Sequence, residues 1–118
     1  MTTSGLQTVV VPVRDLAGAT ALYRALLGAE PTTESPYYVG FRVGGQELGL
    51  DPHGHAAGLA APVAYWHVDD LAATVAAVVA AGGEVVQEAR DVGGGRLVGT
   101  VRDADGNVVG VLQDPAGA

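Results

Sequence analysis

The sequence predicts an α+β fold: two tandem βαβββ modules whose curved mixed sheets surround a cleft, with the helices on the outer face. A repeat is the first sign of it. Val13-Arg14-Asp15-Leu16-Ala17 returns as Val68-Asp69-Asp70-Leu71-Ala72, and Ala21, Ala25 and Gly28 match Ala76, Ala80 and Gly83 in step. The closing segments repeat as well. Gly45-Gln46-Glu47-Leu48-Gly49-Leu50 answers Gly106-Asn107-Val108-Val109-Gly110-Val111, at an offset longer by about six residues. The third sign is the order of the periodicities, strand then helix then strands, in each copy. A chain of 118 residues is expected to form one domain spanning 1–118. Its modules lie at about 6–51 and about 63–113, with a linker at 52–62.

Each element has its own warrant. Leu6 to Val13 is rich in valine and reads as a strand. Asp15 is a helix N-cap, Leu16, Ala19, Tyr23 and Leu26 recur at helical spacing, and Gly28 ends the helix. A short strand is placed near Pro31 to Thr33. Tyr37 to Val43 and Glu47 to Asp51 read as strands joined by Gly44-Gly45, a hairpin signal. Asp51 to Pro62 is irregular and rich in glycine, proline and alanine. Val63 to Val68 restarts the pattern, and Asp70 caps an Ala-Val helix that runs to about Ala81 before Gly82-Gly83. Glu84 to Glu88, Arg96 to Arg102 and Val108 to Gln113 complete the second module. The second helix is built of small residues and needs a large partner. Trp66 shares strand parity with Ala64 and Val68, so it is expected to pack beneath that helix.

Composition narrows the function classes. Thirteen acidic residues against six basic ones give a net charge of −7, which argues against nucleic acid as a partner. Cysteine is absent, so neither disulfides nor thiolate chemistry enters. The apolar Ala-Val stretches are too interrupted to span a bilayer. Met1-Thr2-Thr3-Ser4-Gly5 is short and polar, unlike a secretory leader, and a cytoplasmic location is the expectation.

Two βαβββ units that each open with an apolar strand into Asp-Leu resemble the vicinal oxygen chelate superfamily, the group of glyoxalases, bleomycin-resistance proteins and extradiol dioxygenases. The most specific segments are Tyr65-Trp66-His67-Val68-Asp69-Asp70-Leu71 and Asp103-Ala104-Asp105-Gly106-Asn107-Val108-Val109-Gly110. Proline is usual where Ala104 stands. The resemblance implies a divalent metal held by His, Glu or His side chains on the first and last strand of each module. Carried onto this chain, those positions are Thr8, Val63, Gly49 and Gly110. None is a strong metal ligand, so the expectation is no metal and no other cofactor. Glycine at both closing-strand positions admits two readings: tolerance of glycine in a strand, or room made for a large flat ligand. The paired change favours the second.

Strand parity assigns Val9, Val11, Leu48, Leu50, Ala64, Trp66, Val109 and Val111 to the helix side. The opposite face supplies the candidate ligand-binding residues: Thr8, Pro12, Tyr38, Arg42, Glu47, Gly49, Tyr65, His67, Val98, Thr100, Gly110 and Leu112, with Arg96 beside them. This is an apolar trough with a few polar groups, as small-molecule sites are. Tyr38 and Tyr65 are placed to stack on an aromatic ligand. His67 reads as a histidine bonded to backbone or ligand rather than a general base, and Glu47 is its one visible partner. His53-Gly54-His55 lacks a third metal ligand. Gly93-Gly94-Gly95 lacks the helix and lysine of a phosphate loop, and it reads as a hairpin loop with Asp91 and Arg96 as anchors.

The resemblance to the bleomycin-resistance branch implies a metal-free protein that sequesters a small molecule, with antibiotic self-resistance as its biology. It also implies a head-to-tail homodimer whose clefts are shared. A basic glycopeptide of the bleomycin type and a flat aromatic polyketide or enediyne are both candidate ligands. The alternative is a glyoxalase-like lyase or isomerase that uses His67, Glu47 or Tyr65 without metal. A third is an accessory module that binds no small ligand.

Overall fold

Two copies of one βαβββ arrangement follow each other along the chain in the computed structural model, which describes residues 3–116. Met1 and Thr2 of the polar start, and Gly117 and Ala118, lie outside the described residues. The contacts divide the chain into two compact units, residues 7–63 and residues 64–116 with 3–6.

The first unit contains most of β1 (Thr3–Pro12), α1 (Leu16–Leu27), β2 (Thr33–Ser35), β3 (Tyr38–Val43) and β4 (Gln46–Asp51). Asp15 Oδ1 accepts the Gly18 N–H at 3.0 Å, the N-cap expected of that residue. Gly28 closes α1, its N–H donating to the Arg24 carbonyl. β3 and β4 are antiparallel, and the turn between them has φ of 54° at Gly44 and 81° at Gly45. Two successive positive φ values are what a two-residue hairpin turn demands, and glycine meets that demand without a Cβ clash. β1 runs parallel to β4, giving the order β2-β3-β4-β1. Val39, Phe41 and Leu50 form the core beneath α1, joined by Val11, Leu16, Ala19, Tyr23, Leu27 and Leu48.

The second unit contains β5 (Val63–Val68) from Ala64 onward, α2 (Leu71–Ala80), β6 (Glu84–Asp91), β7 (Leu97–Arg102) and β8 (Val108–Gln113). Asp70 Oδ1 accepts the Ala73 N–H at 3.0 Å, repeating the Asp15 cap. Gln113 Oε1 accepts the Leu71 N–H at 2.7 Å, tying α2 to β8. The order is β5-β8-β7-β6, with β5 and β8 parallel and the others antiparallel. The start of β1 joins this unit, where the Thr3 hydroxyl donates to the His67 carbonyl at 2.7 Å. Val68, Leu71, Val101 and Val111 form its core, with Val75, Val78, Leu97 and Val109 packed around them.

Trp66 does not pack beneath α2. It is paired in register with core residue Val111, so it faces the helix side as parity requires, yet it is 41 % exposed. The cause is placement: α2 lies over β6, β7 and β8, and leaves β5 to one side. Val68, Val101 and Val111 pack with Leu71 of the small-residue helix instead, flanked by Leu97 and Val109. Neither helix is long and apolar enough to cross a membrane.

Candidate functional site

The faces opposite the two helices carry the candidate residues, and the register sets them in rows. In the first unit Thr8 pairs with Glu47, and Glu47 with Arg42. Paired residues of neighbouring strands point to the same side, so these three share one row. Val10, Gly49, Gly40 and Thr33 make the next. The Arg42 guanidinium donates to Glu47 Oε1 at 2.5 Å. Arg42 is thus committed to a carboxylate of its own face. Thr8 is buried, and so is Pro12, where Gly54 approaches the ring closely. Tyr37, in the turn before β3, is exposed and stacks on His53 with ring centroids 6.3 Å apart.

In the second unit Tyr65 pairs with Gly110, Gly110 with Thr100 and Thr100 with Gln87. The adjacent row is His67, Leu112, Val98 and Arg90. Tyr65, His67, Thr100 and Leu112 are buried. The Thr100 hydroxyl lies 3.5 Å from Gln87 Oε1. The His67 Nδ1 atom lies 3.4 Å from Asp114 Oδ2, and the other oxygen of that carboxylate accepts from Arg96 Nε at 2.8 Å. Arg96 also frames the glycine turn: Val92 N–H donates to its carbonyl, and its own N–H donates to Gly93. Asp91 Oδ1 accepts the Gly93 N–H, so both expected anchors of that turn are in place.

Gly49 and Gly110 do not leave an open floor. A Cβ at Gly110 would come within 2.5 Å of Cγ and Cδ2 of Tyr65. A Cβ at Gly49 would meet the Tyr38 hydroxyl and lie 2.7 Å from its Cζ. Each tyrosine ring lies in the space that a side chain on its glycine would need. The expected room for a flat ligand at these two points is therefore filled by the protein's own rings. Parity reveals that a tyrosine and a glycine share a face, but not that the ring folds down onto the glycine.

Strand alternation within the expected elements does not single out Asp114 or Gln87. Asp114 continues the parity of Gly110 and Leu112 one step past the last strand, a signal that extending the strand by one residue would have found. Gln87 lies on β6, where two register shifts interrupt the alternation.

The family model of the Glyoxalase/Bleomycin resistance protein/Dioxygenase superfamily matches residues 5–111. The chain belongs to this superfamily. Solved structures agree on the fold. The Mn(II)-bound glyoxalase from Novosphingobium aromaticivorans superposes with a TM-score of 0.70 at 22 % identity, over 96 % of this chain and 40 % of that one. Methylmalonyl-CoA epimerase from Mycobacterium tuberculosis gives 0.67 at 19 % identity, covering 96 % and 89 %. A glyoxalase/bleomycin resistance protein/dioxygenase superfamily member from Vibrio splendidus 12B01 gives 0.69 at 18 % identity, covering 92 % and 99 %. No curated protein matches the chain.

The superfamily's divalent metal does not fit the residues present. At the four positions the resemblance designates, Thr8 offers a hydroxyl, Val63 an alkyl group, and Gly49 and Gly110 nothing but tyrosine rings laid over them. Among the described residues no three His, Asp or Glu side chains gather to hold an ion.

Proposed function

We propose that this chain is a small-molecule-binding member of the superfamily that works without the metal and sequesters its ligand. Antibiotic self-resistance is the biology proposed for it. The observation that carries the reading is the replacement at Gly49 and Gly110. Where the superfamily's closing strands supply metal ligands, this chain presents the aromatic rings of Tyr38 and Tyr65. The faces so formed are apolar and aromatic, with sparse polar groups at Thr8, Thr100 and His67, a composition suited to organic ligands. A flat aromatic polyketide or enediyne suits such rings better than a basic glycopeptide of the bleomycin type. The functional unit is a homodimer, whose interface must bury on the order of 1,200 Å² or more.

Calorimetry with an anthraquinone and with bleomycin tests this. Anthraquinone binding that is unchanged by a chelator, weakened by Tyr38→Ala, and followed by recovery of intact ligand is the expected result. Binding that appears only after Mn(II) or another divalent ion is added would overturn it. The proximity of His67 to Asp114 favours a second reading, a metal-free lyase or isomerase. Chemical change of the recovered ligand, abolished by His67→Gln, selects that reading.

A further inference from the structure

We infer a second ligand site on the helix side of the first unit, built for a zwitterion with an apolar side chain, the chemistry of a free apolar amino acid. It lies on the other side of the sheet from the face proposed above and does not rest on that reading.

The site follows from the path of α1. On the helix side Glu34, Val39, Leu50 and Val11 form one row across β2, β3, β4 and β1. α1 packs chiefly on β3 and β4, whereas α2 packs on β6, the strand equivalent to β2, as well as on β7 and β8. An opening of about 410 Å³ is left between α1 and β2, within the size range of small-molecule sites. Val39, buried, lies at its base. Leu16 and Ala17 of α1 line one side and Glu34 of β2 the other, with Arg24 about two turns beyond Ala17 on the same stripe of the helix. The second unit is closed at the corresponding point. A Cβ at Gly99, which pairs with Val111 as Val39 pairs with Leu50, would lie 3.3 Å from the Gln87 carbonyl oxygen.

The polar groups of the opening are of two kinds. The Thr20 hydroxyl is committed to the Leu16 carbonyl at 2.7 Å. The Ser35 hydroxyl accepts the Tyr37 and Tyr38 N–H groups and donates to the Tyr38 carbonyl. Arg24 and Glu34 are not committed in this way. Arg24 gives Nε to Glu30 Oε1 at 2.9 Å, and its terminal N–H groups have no partner among the described residues. The Glu34 carboxylate has none either. Opposite charges thus line one apolar opening without pairing with each other. A plain cation would satisfy Glu34 and meet Arg24 with the wrong sign. A plain anion would do the reverse, and Arg24, Glu30 and Glu34 together are net negative, as the whole chain is. A zwitterion satisfies both. The guanidinium fork matches a carboxylate, Glu34 accepts from an ammonium, and Leu16, Ala17 and Val39 take the apolar side chain out of water.

Titration of the full chain with L-phenylalanine, followed in its amide NMR spectrum, tests the site. Phenethylamine and hydrocinnamate are the probes that keep one charge each. The expected result is shifts at Leu16, Ala17, Glu34 and Val39, with each single-charge probe binding roughly tenfold more weakly, as for one lost charge-assisted bond. Glu34→Gln and Arg24→Gln should each weaken L-phenylalanine to a similar extent. Ala17→Leu, at an exposed position, fills the opening and should abolish binding while the rest of the amide spectrum is preserved. Unmoved α1 and β2 amides at millimolar L-phenylalanine overturn the site, and so do shifts that persist unchanged in Ala17→Leu. Phenethylamine that binds as tightly as L-phenylalanine, indifferent to Arg24, overturns the zwitterion class.

Discussion

The two modules share their helix side and differ on the other. Asp15 and Asp70 cap the helices through the same bond to the third residue on, and each closing strand has a glycine beneath a tyrosine ring. The tyrosines come from different places. Tyr65 is directly in register with Gly110 on the parallel neighbour β5. Tyr38 reaches Gly49 diagonally from β3, passing over Gly40. The charged groups differ more. On its strand face the first module pairs Arg42 with Glu47 across adjacent strands, apart from the Arg24–Glu30 pair at the end of α1. The second has the three-residue run His67–Asp114–Arg96, which draws on a strand, a turn and the chain beyond β8. The repeat therefore preserves what folds each module, and diverges on the faces opposite the helices. A glycine in a strand does not determine what fills the space above it; it only permits filling, and here two tyrosines from non-equivalent strands have done so.

The largest expected contrast lies in the helix-side cores. Phe41, 1 % exposed, anchors the first core, whereas the second is built of valines and Leu71. Phe41→Ala is expected to destabilise the chain by about 3–5 kcal/mol, measured by urea denaturation. Truncating a valine removes only two methyl groups, so Val111→Ala should cost clearly less. A Phe41→Ala loss no larger than that of Val111→Ala would break the comparison.

The tyrosine-on-glycine pairs give a smaller and sharper contrast. At Gly110 a Cβ meets Cγ and Cδ2, the root of the Tyr65 ring, which moves only if the buried side chain changes its χ1 rotamer. At Gly49 the first atom met is the Tyr38 hydroxyl, the far end of a side chain that can swing. Neither glycine has a positive φ, so backbone strain does not confuse the result. Gly110→Ala should cost about 1–3 kcal/mol as overpacking, and Gly49→Ala less. Adding Tyr65→Ala to Gly110→Ala should then cost less than it does alone, a coupling a double-mutant cycle measures. Equal costs at the two glycines would show that the rings are equally free.

Much of this was legible in the residues. The two Asp-Leu sequences located both helices, because an N-cap is a local device. Alternation placed Thr8, Glu47, Gly49 and Arg42 on one face, and Tyr65, His67, Gly110 and Thr100 on another, because a strand's period of two is also local. What stayed hidden depends on non-local geometry. Asp114 meets His67 only because β8 lies beside β5. Tyr38 covers Gly49 only through the diagonal between β3 and β4. Trp66 had the right parity, yet the helix lies over other strands. Parity tells which side a residue faces; the register and the path of the helix decide what it meets there.

The smallest expected effect separates the two closing hairpins, which occupy the same place before β4 and β8. The first turns on Gly44-Gly45, with no titratable group. The second turns on Asp103 to Asn107. There Asp103 accepts the Asn107 side-chain amide at 3.0 Å, the Asn107 N–H at 2.8 Å and the Asp105 N–H at 3.0 Å. These bonds, the Asn107 side chain first, hold the Asp103 carboxyl below its ordinary value of 3.8. A depressed carboxyl stabilises the folded state above its unfolded pKa, and that contribution is lost as pH falls through the folded value. Asp103→Ala should therefore lower the urea midpoint at neutral pH, and the gap from the parent should close as pH drops below 3.8. The side chain is fully exposed, so the gap should be small. A substitution at Gly44 should instead cost the same at every pH, since its penalty is conformational. Parallel midpoint curves for the parent and Asp103→Ala through the acid range would show that the Asp103 turn is held by its backbone bonds alone, as the glycine turn is.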